Sequence, residues 1–167
     1  TVFETRYRKR WCKPHLLSDP RIPRLIVNAI AKLKWLSIHV PPRVHISNLR
    51  LQLNGWHTAR RYQQVHCCYF CDHEATIDCI EHLFFCDQLQ SVMPERLKTD
   101  THGRVPVKSW LLQDLEKPDI LIISLYIHAF YTIHNTYRHS PDRGEFRQLM
   151  ENFFQIPLKP KLSQFVR

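Results

Sequence analysis

Glycine is nearly missing from this sequence: 3 of 167 residues, against 11 prolines. Sheets joined by tight turns draw on glycine for left-handed backbone, whereas helices joined by stiff corners draw on proline. The shortage therefore points to an all-α fold. Long apolar runs are missing too. The most apolar stretch, 120–133, is interrupted by His128. It falls short of the roughly 20 residues a membrane-crossing helix requires, so no transmembrane segment is expected. No secretory signal is legible. The sequence also lacks a glycine-rich phosphate loop, a G-x-S-x-G turn and an adjacent acid pair. Cys12 near His15 reads as an incidental neighbour in an arm. These absences predict a non-enzymatic protein with no small-molecule substrate.

Acidic residues are scarce in one part only. Residues 1–61 hold 13 basic and 2 acidic side chains, while residues 62–167 hold 11 and 13, for a net charge of +9. A field this segregated attracts polyanions such as RNA, DNA, anionic lipid or an acidic protein surface. The 44% apolar content is ordinary for a globular chain, and 167 residues suffice for one domain with a real core.

The chain divides into a basic, proline-bounded arm (1–20), a helical domain (21–155) and a Pro- and Lys-containing tail (156–167). In the arm, Arg6, Arg8, Lys9 and Arg10 alternate with Tyr7 and Trp11, a mixture that pairs with phosphates and stacks on bases. Pro23 opens a helix whose stripe of Ile22, Leu25, Ile26, Ile30, Leu33 and Leu36 runs to about Ile38, with Lys32 and Lys34 off the stripe. Pro41-Pro42 break the chain. A second helix is expected over Val44–Leu53, ended by Asn54-Gly55. Thr58 suits the N-cap of a short basic turn over 59–64, containing Arg60 and Arg61. Asp78 suits the cap of a helix reaching Leu89. A short helix is predicted over 106–115 and a long, central, buried one from Asp119 to His139. A final amphipathic helix covers Glu145–Phe154. His128, His134 and His139 read as core-edge or surface histidines, and Tyr126, Phe130, Tyr131 and Tyr137 as core.

Five of the six cysteines fall within twenty residues, beside a histidine. That favours a metal and a reducing, intracellular compartment over three disulfides. The register Cys68-x2-Cys71-x10-His82-x3-Cys86 supplies three thiolates and an imidazole. The C-x-x-C turn aims two sulfurs at one side of an ion, and His82 and Cys86 stand at i and i+4 on the expected helix. Four ligands leave no vacancy for a reactive water, so the site, within a module over 54–90, is a structural Zn2+ site. Cys79 shares the His82 face and competes with it for the fourth position. Cys67, His66 and His73 lie nearby.

Leu49–Arg61 (LRLQLNGWHTARR), the C-x-x-C at Cys68 and Cys71, and Asp78–Cys86 (DCIEHLFFC) follow one another in a telling order. Together they resemble the zinc-binding region that follows the polymerase in non-LTR (LINE-like) retrotransposon reverse transcriptases. That family's pattern is a helix ending in Asn-Gly-Trp, a Thr-x-x-Arg turn, C-x-x-C, a short acidic insert, then Glu-His-Leu and a closing Cys. Ile127 and His134-Asn135 resemble the aromatic, Asn-containing helix downstream. The resemblance covers about 44–139. It implies an all-helical zinc module near template RNA or DNA, with Cys68, Cys71, His82 and Cys86 as ligands. No paired-aspartate metal motif accompanies it, so it implies a fragment or a domesticated piece that does not copy nucleic acid.

The function expected is a zinc-stabilised nucleic-acid-binding module, for RNA in preference to DNA. Its phosphate contacts would be Arg6, Arg8, Lys9, Arg10, Arg60 and Arg61. The alternative is an accessory structural subunit of a large assembly, such as a mitochondrial ribosome or a respiratory complex, with arm and tail threaded between neighbouring subunits. The sequence does not begin with Met, which fits a processed N-terminus or a piece of a longer chain.

Overall fold

The computed structural model describes residues 5–6, 22–53, 55–58, 62–63, 67–71, 76–98, 112, 115–139 and 146–155. The basic arm apart from Thr5 and Arg6, the tail, most of the turn at 59–64 and most of the helix expected over 106–115 lie outside them.

Among the described residues the fold is all-α, with no strand and one isolated antiparallel bridge, Cys67 to Ile77. The elements are α1 (Ile22–His39), α2 (Pro42–Gln52), α3 (Ile80–Leu83), α4 (Asp87–Val92), a 3₁₀ turn (Glu95–Leu97), α5 (Lys117–His139) and α6 (Phe146–Gln155). No helix is long and apolar enough to cross a membrane.

Proline sets the corner between the first two helices. Pro41 flanks α2 and Pro42 begins it, at the position where a missing N–H costs nothing. Gly55 closes α2: its N–H donates to the Arg50 carbonyl at 2.5 Å. A Cβ at Gly55 would lie 3.1 Å from Arg50 Cα, so the return of the chain is tight enough to favour glycine. Trp56, fully buried, then donates its indole N–H to the Ser47 carbonyl at 3.3 Å.

α5 is the central helix, as its near-continuous apolar sequence predicts. Ile120, Ile123, Ile127, Phe130, Ile133 and Tyr137 are buried along it, and α1, α2 and α6 pack on it. The α1 stripe holds at Leu33 and Leu36, joined by Ala29. Lys32, off the stripe, is half-buried, and its ammonium donates to the Leu112 carbonyl at 2.6 Å. Leu112 is buried with φ 61°, a left-handed conformation uncommon for a bulky residue. Asn48, buried against α5, donates to the carbonyls of Val44 (2.9 Å) and Ser124 (3.1 Å) and joins α2 to α5.

Two expectations need correcting here. The helix expected from Asp78 through Leu89 is two helices, α3 and α4, parted by a turn at Phe84–Phe85. Ile80, Leu83, Phe84, Cys86 and Leu89 are all buried, and one straight helix would spread them over too wide an arc to bury together. The turn is held by Phe85 N–H to the His82 carbonyl (2.9 Å) and by the Gln90 amide to the Phe84 carbonyl (2.8 Å). It also leaves Asp87 in the first turn of α4, where a negative charge is favourable. The second correction concerns His134. It is not at the core edge but fully buried.

Candidate metal centre

The backbones at Cys67 and Ile77 meet in an antiparallel bridge. Beside it, the Cys68 N–H donates to the Thr76 carbonyl at 3.1 Å. The C-x-x-C turn therefore rests on a short paired stem. Its second inner residue, Phe70, points into the core, where its ring meets those of Phe130, Tyr137 and Phe146 at centroid distances of 6.4, 6.2 and 5.4 Å. That anchor leaves the two flanking sulfurs facing α3.

Cys68, Cys71, His82 and Cys86 converge, their ligand atoms all within 4.8 Å of one another. In a tetrahedron with about 2.3 Å to each sulfur, neighbouring ligand atoms sit roughly 3.8 Å apart. The cluster thus needs little adjustment to close on one ion. His82 Nε2 already lies 3.3 Å from Cys71 Sγ. Cys68 and Cys86 are fully buried, while Cys71 and His82 are half-buried.

In the absence of a cation the surroundings favour the protonated Cys68 thiol. The hydrogen bond with the Cys86 thiol, and then burial, push it far above its ordinary value. Two backbone amides, of Cys71 and Phe70, act the other way; the Phe70 N–H lies 3.4 Å from Cys68 Sγ. A metal bound here would have to displace the thiol proton, and the two amides would then help to hold the resulting thiolate. The four residues can hold one metal ion.

His82 and Cys86 reach the cluster differently from the i, i+4 geometry expected. His82 belongs to α3, and Cys86 stands at the N-cap of α4, beyond the turn. Cys79, the rival to His82, is not in the group. Its sulfur caps α3, accepting the His82 N–H at 3.4 Å. Asp78, expected to cap this helix, is instead buried, with both carboxylate oxygens 3.2 Å from His134 Nε2 on α5. Trp56, Tyr69 and Phe70 surround the His134 ring at centroid distances of 5.8, 5.1 and 5.8 Å. This pair ties the segment entering α3 to the central helix and so helps to position the metal cluster. No local spacing announces it, since its partners stand 56 residues apart.

Of the phosphate contacts expected, Arg6 is exposed. Arg8, Lys9, Arg10, Arg60 and Arg61 lie outside the described residues. No protein-family model matches the chain, and no characterised protein or solved structure is significantly similar to it. The likeness to reverse-transcriptase zinc modules rests on the quoted residues alone.

Proposed function

We propose that the cluster holds a single structural Zn2+ and that the protein is a zinc-stabilised, non-enzymatic nucleic-acid-binding module, with RNA its favoured ligand. The observation that carries the metal assignment is the convergence of three sulfurs and one imidazole nitrogen within 4.8 Å. A soft, closed S₃N set suits zinc and leaves no open position for a substrate or a reactive water. The half-by-half charge segregation supports the nucleic-acid reading, since 13 of the 24 basic residues precede residue 62 while only 2 of the 15 acidic ones do. The ordered Asn-Gly-Trp, C-x-x-C and Glu-His-Leu signals support descent from a retroelement reverse transcriptase.

In this role Cys68, Cys71, His82 and Cys86 would hold the ion, which supplies the crosslink between the C-x-x-C turn, α3 and α4. The test is a filter-binding titration of zinc-loaded protein against RNA and DNA from low to physiological salt. Binding to RNA that weakens steeply as salt rises is expected. Absence of affinity for either polymer at low salt refutes the reading.

Exposed apolar side chains favour a second reading, an accessory subunit of a larger assembly such as a mitochondrial one. Ile38 is 79%, Ile77 58% and Phe85 56% exposed. Isolation of the native protein as a free monomer would count against it.

A further inference from the structure

α2 and α5 lie side by side, and a groove of about 660 Å³ runs between them on the outer face. Each wall is a single helical stripe. Arg43, Ile46 and Arg50 come from α2 at intervals of three and four; Tyr131, Asn135 and His139 come from α5 at intervals of four. No Asp or Glu lines it. The groove belongs to the basic half of the sequence on its α2 side. Arg43 and Arg50, two of the basic residues of that half, line it.

The lining chemistry is specific. The Arg50 guanidinium lies 5.5 Å from the Tyr131 ring centroid and donates to the Tyr131 hydroxyl. That pair fixes a planar cation beside an aromatic face, the combination that takes a phosphate on one side and a base on the other. Arg43 stands two helical turns before Arg50, about 10 Å along the axis. Both arginines are exposed, and among the described residues neither pairs with a carboxylate. Ile46, 44% exposed, gives the floor an apolar surface. Asn135, half-buried, offers an amide donor and acceptor of the kind that reads a base edge. Burial, and then the Arg43 charge, hold His128, which also lines the groove, below the ordinary histidine value.

We propose that the α2–α5 groove seats one strand of nucleic acid, with Arg43 and Arg50 on its phosphates, an unstacked base against Tyr131 and Asn135 at a base edge. An acidic protein segment would be drawn by the same charges. The guanidinium beside the Tyr131 ring and the Asn135 amide in the α5 wall favour a strand with bases. This proposal rests on the nucleic-acid reading above and goes further by assigning the surface.

The test compares wild type with Arg43→Gln/Arg50→Gln, with Asn135→Ala, and with the arm variant Arg6→Gln/Arg8→Gln/Lys9→Gln/Arg10→Gln, all zinc-loaded. Fluorescence anisotropy is read on labelled single-stranded RNA, single-stranded DNA, duplex RNA and polyglutamate, across a salt series. The groove double variant is expected to lose tenfold or more in single-strand affinity and to lower the salt slope by about 1.4, two contacts at roughly 0.7 each. Asn135→Ala is expected to reduce discrimination between homopolymers while leaving the salt slope unchanged. Circular dichroism and zinc content, both expected at the wild-type level, separate these losses from misfolding. Wild-type binding that persists in the groove variant, with loss confined to the arm variant, overturns the groove assignment and leaves the general reading intact. Equal affinity for polyglutamate and RNA overturns the assignment of a nucleic-acid strand. No binding of wild type to any nucleic acid removes both.

Discussion

Cys79 and His82 compete on paper for the fourth ligand position, being three residues apart on one stretch of chain. In the fold they do different jobs: the Cys79 sulfur accepts the His82 N–H and caps α3, while the His82 imidazole turns to Cys71. Serine is a better N-cap than a thiol, so Cys79→Ser should retain one zinc per chain and change stability by less than about 1 kcal/mol. His82→Ala removes one of the four proposed ligands. It should weaken zinc by more than the roughly 10- to 100-fold that follows loss of a ligand's outer hydrogen-bonding partner. Zinc competition with a chromophoric chelator reads both. Full zinc affinity in His82→Ala, or its loss in Cys79→Ser, would reverse the ligand assignment.

Among the elements, the C-x-x-C turn is the one whose position is decided from outside. Its local hydrogen bonds make the turn, but Phe70 docks it by filling a space among Phe130, Tyr137 and Phe146. Phe70→Ala leaves all four ligands in place and opens a cavity. The expected loss is about 3–5 kcal/mol in urea unfolding, with a fall in zinc affinity because the turn loses its anchor. Unchanged zinc affinity alongside the stability loss would mean that the turn is set by its own stem at Cys67 and Ile77. α3 and α4 teach a related lesson. The spacing His82-x3-Cys86 fits one helix, yet the chain breaks there because five apolar or ligating side chains need burial on one side.

At the scale of the whole molecule, the metal cluster is continuous with the main core: Cys68 and Cys86 belong to the same buried assembly as Leu36, Phe130 and Met150. Removing the ion should therefore lower global stability instead of fraying one loop. With zinc a thousandfold above its dissociation constant, the linkage contribution is about 4 kcal/mol. Chelation should accordingly lower the melting midpoint of the entire helical signal and sharply reduce near-ultraviolet ellipticity. A helical melt that is identical with and without chelator would detach the metal from the fold.

The sequence by itself determined whatever depends on near neighbours. Glycine scarcity and apolar periodicity gave an all-α chain and the long α5. Pro41-Pro42 opened α2, and Gly55 turned the chain back just past its end. Ligand type and spacing picked out Cys68, Cys71, His82 and Cys86 within nineteen consecutive residues. These features are legible because backbone preferences and metal geometry act over a few residues. Tertiary structure alone decided the rest. It buried His134 against Asp78 across 56 residues, turned Cys79 from rival ligand to helix cap, and broke the helix before Cys86. It also brought Arg50 to Tyr131, and Ser47 to His128 at 2.8 Å, each across 81 residues, and so formed the α2–α5 groove. The physical reason is that side-chain burial is a property of the whole packed interior. Which face of a helix is inside, and which distant polar group shares its space, is set only when all the helices have found their places.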